Sequence, residues 1–517
     1  MLLLLADTLA VGLCLSFLFY AWRKRGRPNH LPPGPPGAPF VGNLLQMPSK
    51  DAARVFRDLS KEYGDLVTLR LPGLSLLVLN SRQAISDLFV GRSAIYSDRS
   101  QLVMARDLVG FEDTVFLTSN TPRFRSCRKL LRRGLGVGAM RSFAPLLDRQ
   151  SAFLLENLRR SPDAFVDVAR RNAAAVAMKV AYGYPGLDED AEFYDTMLET
   201  SKYFSETITF GTFLVDVIPV LRYLPTWFPL AYFQRYAARA KPVVTECLNK
   251  PFEETKRHIE MGTAGASFSA MLLGEANGDA ETEHCIKLCS SGILLGQMDT
   301  TTAAMSWFFL AMTLYPEVQA KAQAEIDTVI GNDRLPRVED MENLPYIKAI
   351  MQEVFRWHPV VGLVPHAASQ DDTYRGYFIP AGTAAIANVW AILHDERVYR
   401  DAGKFVPERF SEEGAPDSME FAFGFGRRVC PGKLVAQAHL FVSIAATLAT
   451  FNIAKGRDAN GNIVEPVVED STHGINFPEP FEISLEPRSE AAAGLIRRSA
   501  EHSKSLPDNL EAFSLEE

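Results

Sequence analysis

Hydrophobic and polar positions divide the chain into an apolar start, a long body of mixed periodicity and a polar end. Residues 1–22 are apolar apart from Asp7 and Thr8 and Ser16, and a run of about 20 such residues is long enough to cross a bilayer as a helix. Arg23, Lys24, Arg25 and Arg27 follow at once, a cationic flank that places the succeeding chain on the cytosolic side. A cleaved signal peptide would carry its charge ahead of the apolar run and end in small residues, and neither feature is present. Residues 31–37, LPPGPPG, set φ-restricting prolines beside glycines that allow sharp turns, and read as a stiff hinge. Beyond it, residues 51–63 repeat with helical spacing, and residues 66–79 show two apolar runs around Pro72-Gly73, the pattern of a hairpin. Helical patterns dominate from Ser81 onward. The clearest occupy residues 285–314, stopped by Pro316, residues 317–330, stopped by Gly331, and residues 346–357, stopped by Pro359. The expected fold class is mainly α with minor β. After Arg488 the chain is polar and turns acidic, and is expected to be loosely ordered.

Length changes this picture little. The 517 residues exceed the usual single domain, yet no Ser/Gly-rich or charged linker divides the middle, so one large fold able to bury a bulky cofactor is expected. The division is an anchor at 1–22, a basic and Pro-rich hinge at 23–37, a body at 38–488 and a polar tail at 489–517. With 54 Lys and Arg against 62 Asp and Glu the net charge is -8, which argues against a nucleic-acid binder. Cys14, Cys127, Cys247, Cys285, Cys289 and Cys430 are scattered without the paired spacing of a secreted disulfide framework, consistent with a reducing, cytosol-facing body.

The chemistry concentrates at residues 423–432, FGFGRRVCPG, which precede an apolar helical stretch at 434–451. Gly424, Gly426 and Gly432 permit tight turns beside a flat ligand, and Pro431 suits the first turn of a helix. Cys430 is thereby expected at a helix N-terminus, where free amides and the helix dipole favour the thiolate, the form that ligates metals. An isolated Cys-Pro-Gly is most simply a buried cysteine in a turn; the whole pattern F-x-x-G-x-R-x-C-x-G is far more specific.

At these residues the chain resembles the cytochrome P-450 family, from the anchor to about Arg488. The resemblance implies the cytochrome P-450 fold, with residues 38–488 as a haem-thiolate catalytic domain whose haem b iron is ligated by Cys430. Phe423, Gly426, Arg428 and Gly432 then belong to the cofactor-binding loop. Glu353 and Arg356 match the family's E-x-x-R helix, and Arg409, in Pro407-Glu-Arg-Phe410, joins them in a structural triad. Gly296-Gln-Met-Asp-Thr-Thr301 is similar to the oxygen-side segment, which makes Asp299 and Thr300 the catalytic pair that relays protons and leaves Gly296 as room beside the iron. Gln297 replaces the family's second glycine and is expected to narrow the pocket or to add a polar group near substrate. The haem propionates are assigned to Arg128, Arg428 and His366, with Phe124 standing where the family has tryptophan.

The substrate pocket implied is apolar, with Phe111, Phe116, Gly296, Gln297, Val361, Leu363 and Ile475, so a lipophilic substrate held by shape is expected. Arg123, Arg125, Arg128, Lys129, Arg132 and Arg133 form a local positive patch, either a docking face for NADPH-cytochrome reductase or a cytochrome b-type donor, or a solvated helical face. Residues 213–229 either dip into the membrane interface or form a buried turn. His284, Cys285 and Cys289 fit helix packing better than a metal site. The runs 32–37, 365–377 and 388–395 look most like fungal biosynthetic members, which implies hydroxylation or epoxidation of a terpenoid or polyketide at the endoplasmic reticulum membrane. A reductase-independent haem-thiolate isomerase or dehydratase and a non-catalytic haem sensor are the alternatives.

Overall fold

The computed structural model describes residues 30–506 except 49, 185–190, 210, 230, 277, 412–415, 459 and 471–473. The apolar run 1–22 and its basic flank lie outside the described residues. Among the described residues, twelve longer helices carry the body: α1 Ala52–Tyr63, α2 Pro122–Leu135, α3 Val137–Arg160, α4 Phe165–Tyr182, α5 Ala191–Ile208, α6 Tyr232–Glu260, α7 Phe268–Ala276, α8 Ala280–Leu314, α9 Pro316–Val329, α10 Pro345–Trp357, α11 Lys433–Thr450 and α12 Glu490–Ser505. Eight short strands accompany them among the described residues: β1 Leu66–Leu71, β2 Leu74–Leu79, β3 Leu363–Ala367, β4 Asp372–Tyr374, β5 Tyr377–Ile379, β6 Ala384–Asn388, β7 Phe451–Lys455 and β8 Ile483–Pro487.

α8 is the axis of the core. From Cys285 onward most of its length is buried, and it packs on α2, α4 and α11. It begins earlier than the apolar pattern predicts, because the Asp279 carboxylate accepts the Thr282 N–H at 3.0 Å and caps a polar first turn. α11 is the one described helix long and apolar enough to cross a membrane, and most of it is buried inside the protein.

The main sheet has the order β1-β2-β6-β3. The hairpin forms as the sequence predicts, Leu66 facing Leu79 and Leu71 facing Leu74, whereas β2 pairs in parallel with the distant β6. The Pro-rich run is no free spacer. The Thr68 N–H donates to Pro33 O at 2.7 Å, Asn43 and Arg70 exchange bonds of 2.6 and 2.8 Å, and a Cβ on Gly34 would stand 1.9 Å from Thr68 O. Residues 33–43 therefore line the sheet edge, a contact only glycine permits at position 34.

The expectation of a loose tail is corrected over residues 489–506 by α12, and residues 507–517 lie outside the described residues. Ser489 Oγ caps it by accepting the Ala492 N–H at 3.1 Å, and Ala493, Ile496 and Ala500, spaced along one helical face, are buried. The helix packs on α3 and α11. Arg488 fixes its approach through Asp327, at 2.8 and 2.6 Å.

Candidate functional site

Residues 423–432 form a loop closed by the Cys430 N–H, which donates to Phe423 O at 2.7 Å. Phe423 packs on Phe355 of α10 and Phe425 meets Phe89 edge-on, with centroids 5.1 and 6.0 Å apart. Gly426 sits at φ 52°, and a Cβ there would come within 2.2 Å of Phe89 O, so the loop can be seated only with glycine. Gly432 is the N-cap of α11. Cys430 thus stands two residues before the cap rather than on the helix. Burial pushes its thiol up, while the Gly432 N–H, Arg128 and Lys433 pull it down. Burial prevails, and a cation bound at the sulfur would favour the thiolate.

Beside the loop lies a cluster of interior cations. The Arg428 guanidinium donates to Ser97 O at 2.9 Å and Thr118 O at 2.7 Å and lies 3.7 Å over the Phe124 ring. Burial, with Arg99 and Arg128 nearby, brings it down to about 8. Arg99, which the motif reading missed, donates to Phe116 O at 2.9 Å and to Pro365 O, and burial brings it down to about 10. His366, on β3, is fully buried and stacked on Phe89 at 4.0 Å. Its Nδ1–H donates to Tyr96 O at 2.7 Å, and Nε2 has no partner among the described residues. Burial, Arg99 and Arg428 hold the ring well below the usual imidazole range. Arg128 is lowered by burial and supported by Cys430. Asp98 offsets part of the charge at Arg428. Such a cluster calls for an anion. A planar group with two carboxylates, set against a cysteine, meets that demand, so these residues fit haem. Phe124 takes part through its face, not through a donor.

On α8 the predicted residues separate. Thr300 Oγ1 donates to Gly296 O within its own helix. Asp299 turns elsewhere, accepting from Ser201 Oγ of α5 and facing Arg170 Nε of α4 at 3.8 Å. Burial raises its carboxyl, and Ser201 and Arg170 oppose the rise. The space beside Gly296 is taken by Phe116, whose Cζ would stand 3.0 Å from a Cβ there. Gln297 corrects the expectation that it faces substrate: its amide reaches His439 Nδ1 of α11 at 3.5 Å.

The residues expected to line the substrate pocket differ in burial. Phe116, Val361 and Leu363 are half-buried, while Phe111 is fully buried. Phe204 of α5, also missed, joins the two phenylalanines at 5.1 and 5.7 Å; its isolated place in a helical stripe carries no signal of this role. Ile475 is buried in a loop tied down by the Asn476 N–H to Val360 O and by Trp307 Nε1 to Asn476 O, both 2.8 Å.

Glu353, Arg356 and Arg409 come together beneath this assembly. Arg356 grips Glu353 at 2.7 and 2.9 Å, Arg409 Nε adds a bond of 3.1 Å, and the Val406 N–H one of 2.7 Å. Arg356 also donates to the carbonyls of Leu393, Ala402 and Lys404 at 3.1, 2.8 and 2.9 Å, which ties α10 to the segment after β6. Of the patch on α2, Arg123 pairs with Glu281 and Arg133 with Glu275; Arg125, Lys129 and Arg132 are exposed. Cys285 and Cys289 pack against Cys127 of α2, with S···O separations of 3.8 and 3.5 Å between the helices.

The family model described as cytochrome P450 matches residues 32–469. The chain is 40% identical over 503 residues to cytochrome P450 monooxygenase 208 of Postia placenta, covering 96% of this chain and 98% of that protein. It is 37% identical over 495 residues to cytochrome P450 monooxygenase claR of Ampulloclitocybe clavipes, covering 94% and 92%.

Proposed function

Because the chain belongs to the cytochrome P450 family, whose members carry a cysteine-ligated haem, we propose that it hydroxylates or epoxidises a lipophilic small molecule of fungal secondary metabolism, such as a terpenoid or polyketide. Electrons come from NADPH by way of a flavoprotein reductase. The observation that carries the reading is the interior cluster of Arg99, Arg128, Arg428 and His366 set against the Cys430 loop.

In this reading Cys430 Sγ would ligate the haem iron, and the guanidiniums of Arg99, Arg128 and Arg428 with His366 would hold the two propionates. A carboxylate beside His366 would supply the negative charge that lets Nε2, unpartnered among the described residues, take a proton and donate. When bound, haem supplies the reductive activation of dioxygen: R–H + O2 + 2 electrons + 2 protons give R–OH + H2O. Thr300 Oγ1 holds a proton on the oxygen side, parked on Gly296 O. Asp299, whose carboxyl burial raises against the pull of Ser201 and Arg170, is the second relay group of this reading and accepts from Ser201 Oγ. Phe116, Val361 and Leu363 exclude water and select by shape.

Arg125, Lys129 and Arg132 are left to meet an acidic reductase. Anchoring in the endoplasmic reticulum membrane by residues 1–22 is supported by exposed Tyr223 and Trp227, 74% and 79% accessible, side chains suited to a bilayer interface. The test is the reduced carbon monoxide complex, expected to absorb near ~450 nm, followed by turnover with reductase and a ligand that shifts the Soret band. Thr300→Ala is expected to bind that ligand normally while releasing more hydrogen peroxide per NADPH. A Cys430→Ala protein that keeps the band, or NADPH consumption that never yields oxygenated product, overturns the reading.

A further inference from the structure

The side of α8 opposite Asp299 carries a polar chain that the reaction scheme does not use. Gln297 Nε2 reaches His439 Nδ1 at 3.5 Å, His439 Nε2 meets Asn172 Oδ1 at 2.9 Å, and Asn172 Nδ2 donates to Gln150 O at 2.8 Å. These residues belong to α8, α11, α4 and α3 in turn. Gln150, Asn172 and His439 are buried, with 4%, 8% and 1% exposure, and Gln297 is half-buried.

The direction of the chain is fixed from its far end. Asn172 spends an amide hydrogen on the Gln150 carbonyl and turns its oxygen to His439, so the ring must carry its hydrogen on Nε2. Nδ1 is then an acceptor and can receive only a donor, which the Gln297 amide provides. Burial takes His439 down to about 4, so the ring stays neutral and the order does not reverse at physiological pH.

The position of the chain matters more than its composition. Gln297 lies between Gly296 and Thr300, the two ends of the hydroxyl-to-carbonyl bond on the oxygen side. His439 lies on α11, the helix that begins three residues after Cys430. Helix α4 touches the same turn of α8 twice, through Arg170 toward Asp299 and through Asn172 by way of His439. The turn is thus held on two flanks inside an otherwise apolar interface, where packing alone leaves rotation about the helix axis weakly specified.

We propose that Gln297, His439 and Asn172 are positioning residues that hold the Thr300 turn in register with the helix behind the cysteine ligand, and so set the share of electrons that reaches substrate rather than peroxide. The proposal rests on the monooxygenase reading. None of the three residues touches the reacting atoms.

The experiment uses holoenzyme with Gln297→Met, which keeps the volume and deletes the donor, His439→Ala, which cuts the chain at its centre, and His439→Gln, which can still accept and donate. Amide hydrogen exchange at residues 296–303 is expected to quicken about five- to tenfold in Gln297→Met and His439→Ala, the loss of roughly one buried hydrogen bond. Peroxide released per NADPH is expected to rise about threefold in the same proteins, on the scale of a partly lost positioning contact. The ~450 nm band stays in place, as unaltered thiolate ligation requires, and His439→Gln recovers most of both effects. Wild-type exchange in Gln297→Met overturns the proposal, and so does faster exchange with an unchanged peroxide share, which makes the chain structural only. If His439→Ala does not fold, Gln297→Met decides alone. Failure of the wild type to oxygenate any ligand overturns the monooxygenase reading instead, and the exchange pattern still reports on the chain.

Discussion

Replacing Arg99 by Met keeps the length of the side chain and removes its charge and donors. The guanidinium spends Nε on Phe116 O, at 2.9 Å, and Nη1 on Pro365 O, which leaves Nη2 for a carboxylate. Its charge also depresses Arg428 and His366. Two effects therefore oppose each other. Haem loses a charge-assisted hydrogen bond, typically about 1.5 to 3 kcal/mol, while His366 becomes easier to protonate and the mutual repulsion with Arg428 is relieved, which returns part of it. Each 1.4 kcal/mol is about tenfold in a dissociation constant, so the unopposed loss corresponds to roughly 10- to 150-fold and the compensated one to the lower end, about tenfold. The measurement is haem transfer from the ferric protein to excess apo-globin, followed at the Soret band. Arg99→Met is expected to transfer haem about tenfold faster, and Arg99→Lys to fall between it and wild type, since a point charge replaces the fork. Because Arg99 also holds the Phe116 carbonyl, ligand-induced Soret shifts should weaken in Arg99→Met. Transfer at the wild-type rate in a folded Arg99→Met protein refutes the assignment of this cluster to the propionates.

Phe124→Trp is expected to quicken haem transfer: Arg428 lies 3.7 Å over a nearly fully buried ring, and the larger indole costs about 1 to 3 kcal/mol by overpacking; slower transfer would show that a donor was lacking. Glu353→Gln strands the buried Arg356 charge, and should lower stability by about 3 to 5 kcal/mol in denaturant unfolding; a loss below about 1 kcal/mol, the scale of a surface pair, contradicts a buried triad. His394, stacked on Trp390, is taken by burial down to about 3, so the unfolded chain binds its proton first as pH falls. Its contribution is present above the unfolded value near ~6.5 and declines by about 1.4 kcal/mol per pH unit below it. His394→Gln should flatten stability against pH by about one proton between pH ~6 and ~4, and an unchanged slope would place the neutral ring elsewhere.

Sequence alone determined what is written in local order. The Cys430 loop is legible because its glycines answer local demands, such as the 2.2 Å that a Cβ on Gly426 would leave to Phe89 O. The hairpin around Pro72-Gly73 and the stops at Pro316 and Pro359 are local for the same reason. In the tail polarity outweighs period: Ala493, Ile496 and Ala500 share one face of α12, and a short Ala-rich stripe shows itself as buried only once α3 and α11 supply a surface. Arg99 and Phe204 belong to no motif; one becomes part of the cation cluster and the other part of the pocket wall through chain segments far away in sequence. Gln297 shows the limit most plainly. Its place beside Thr300 was fixed by sequence, but the direction of its side chain was decided by His439, 142 residues further on, because a buried amide turns toward whichever partner the packed helices bring within reach.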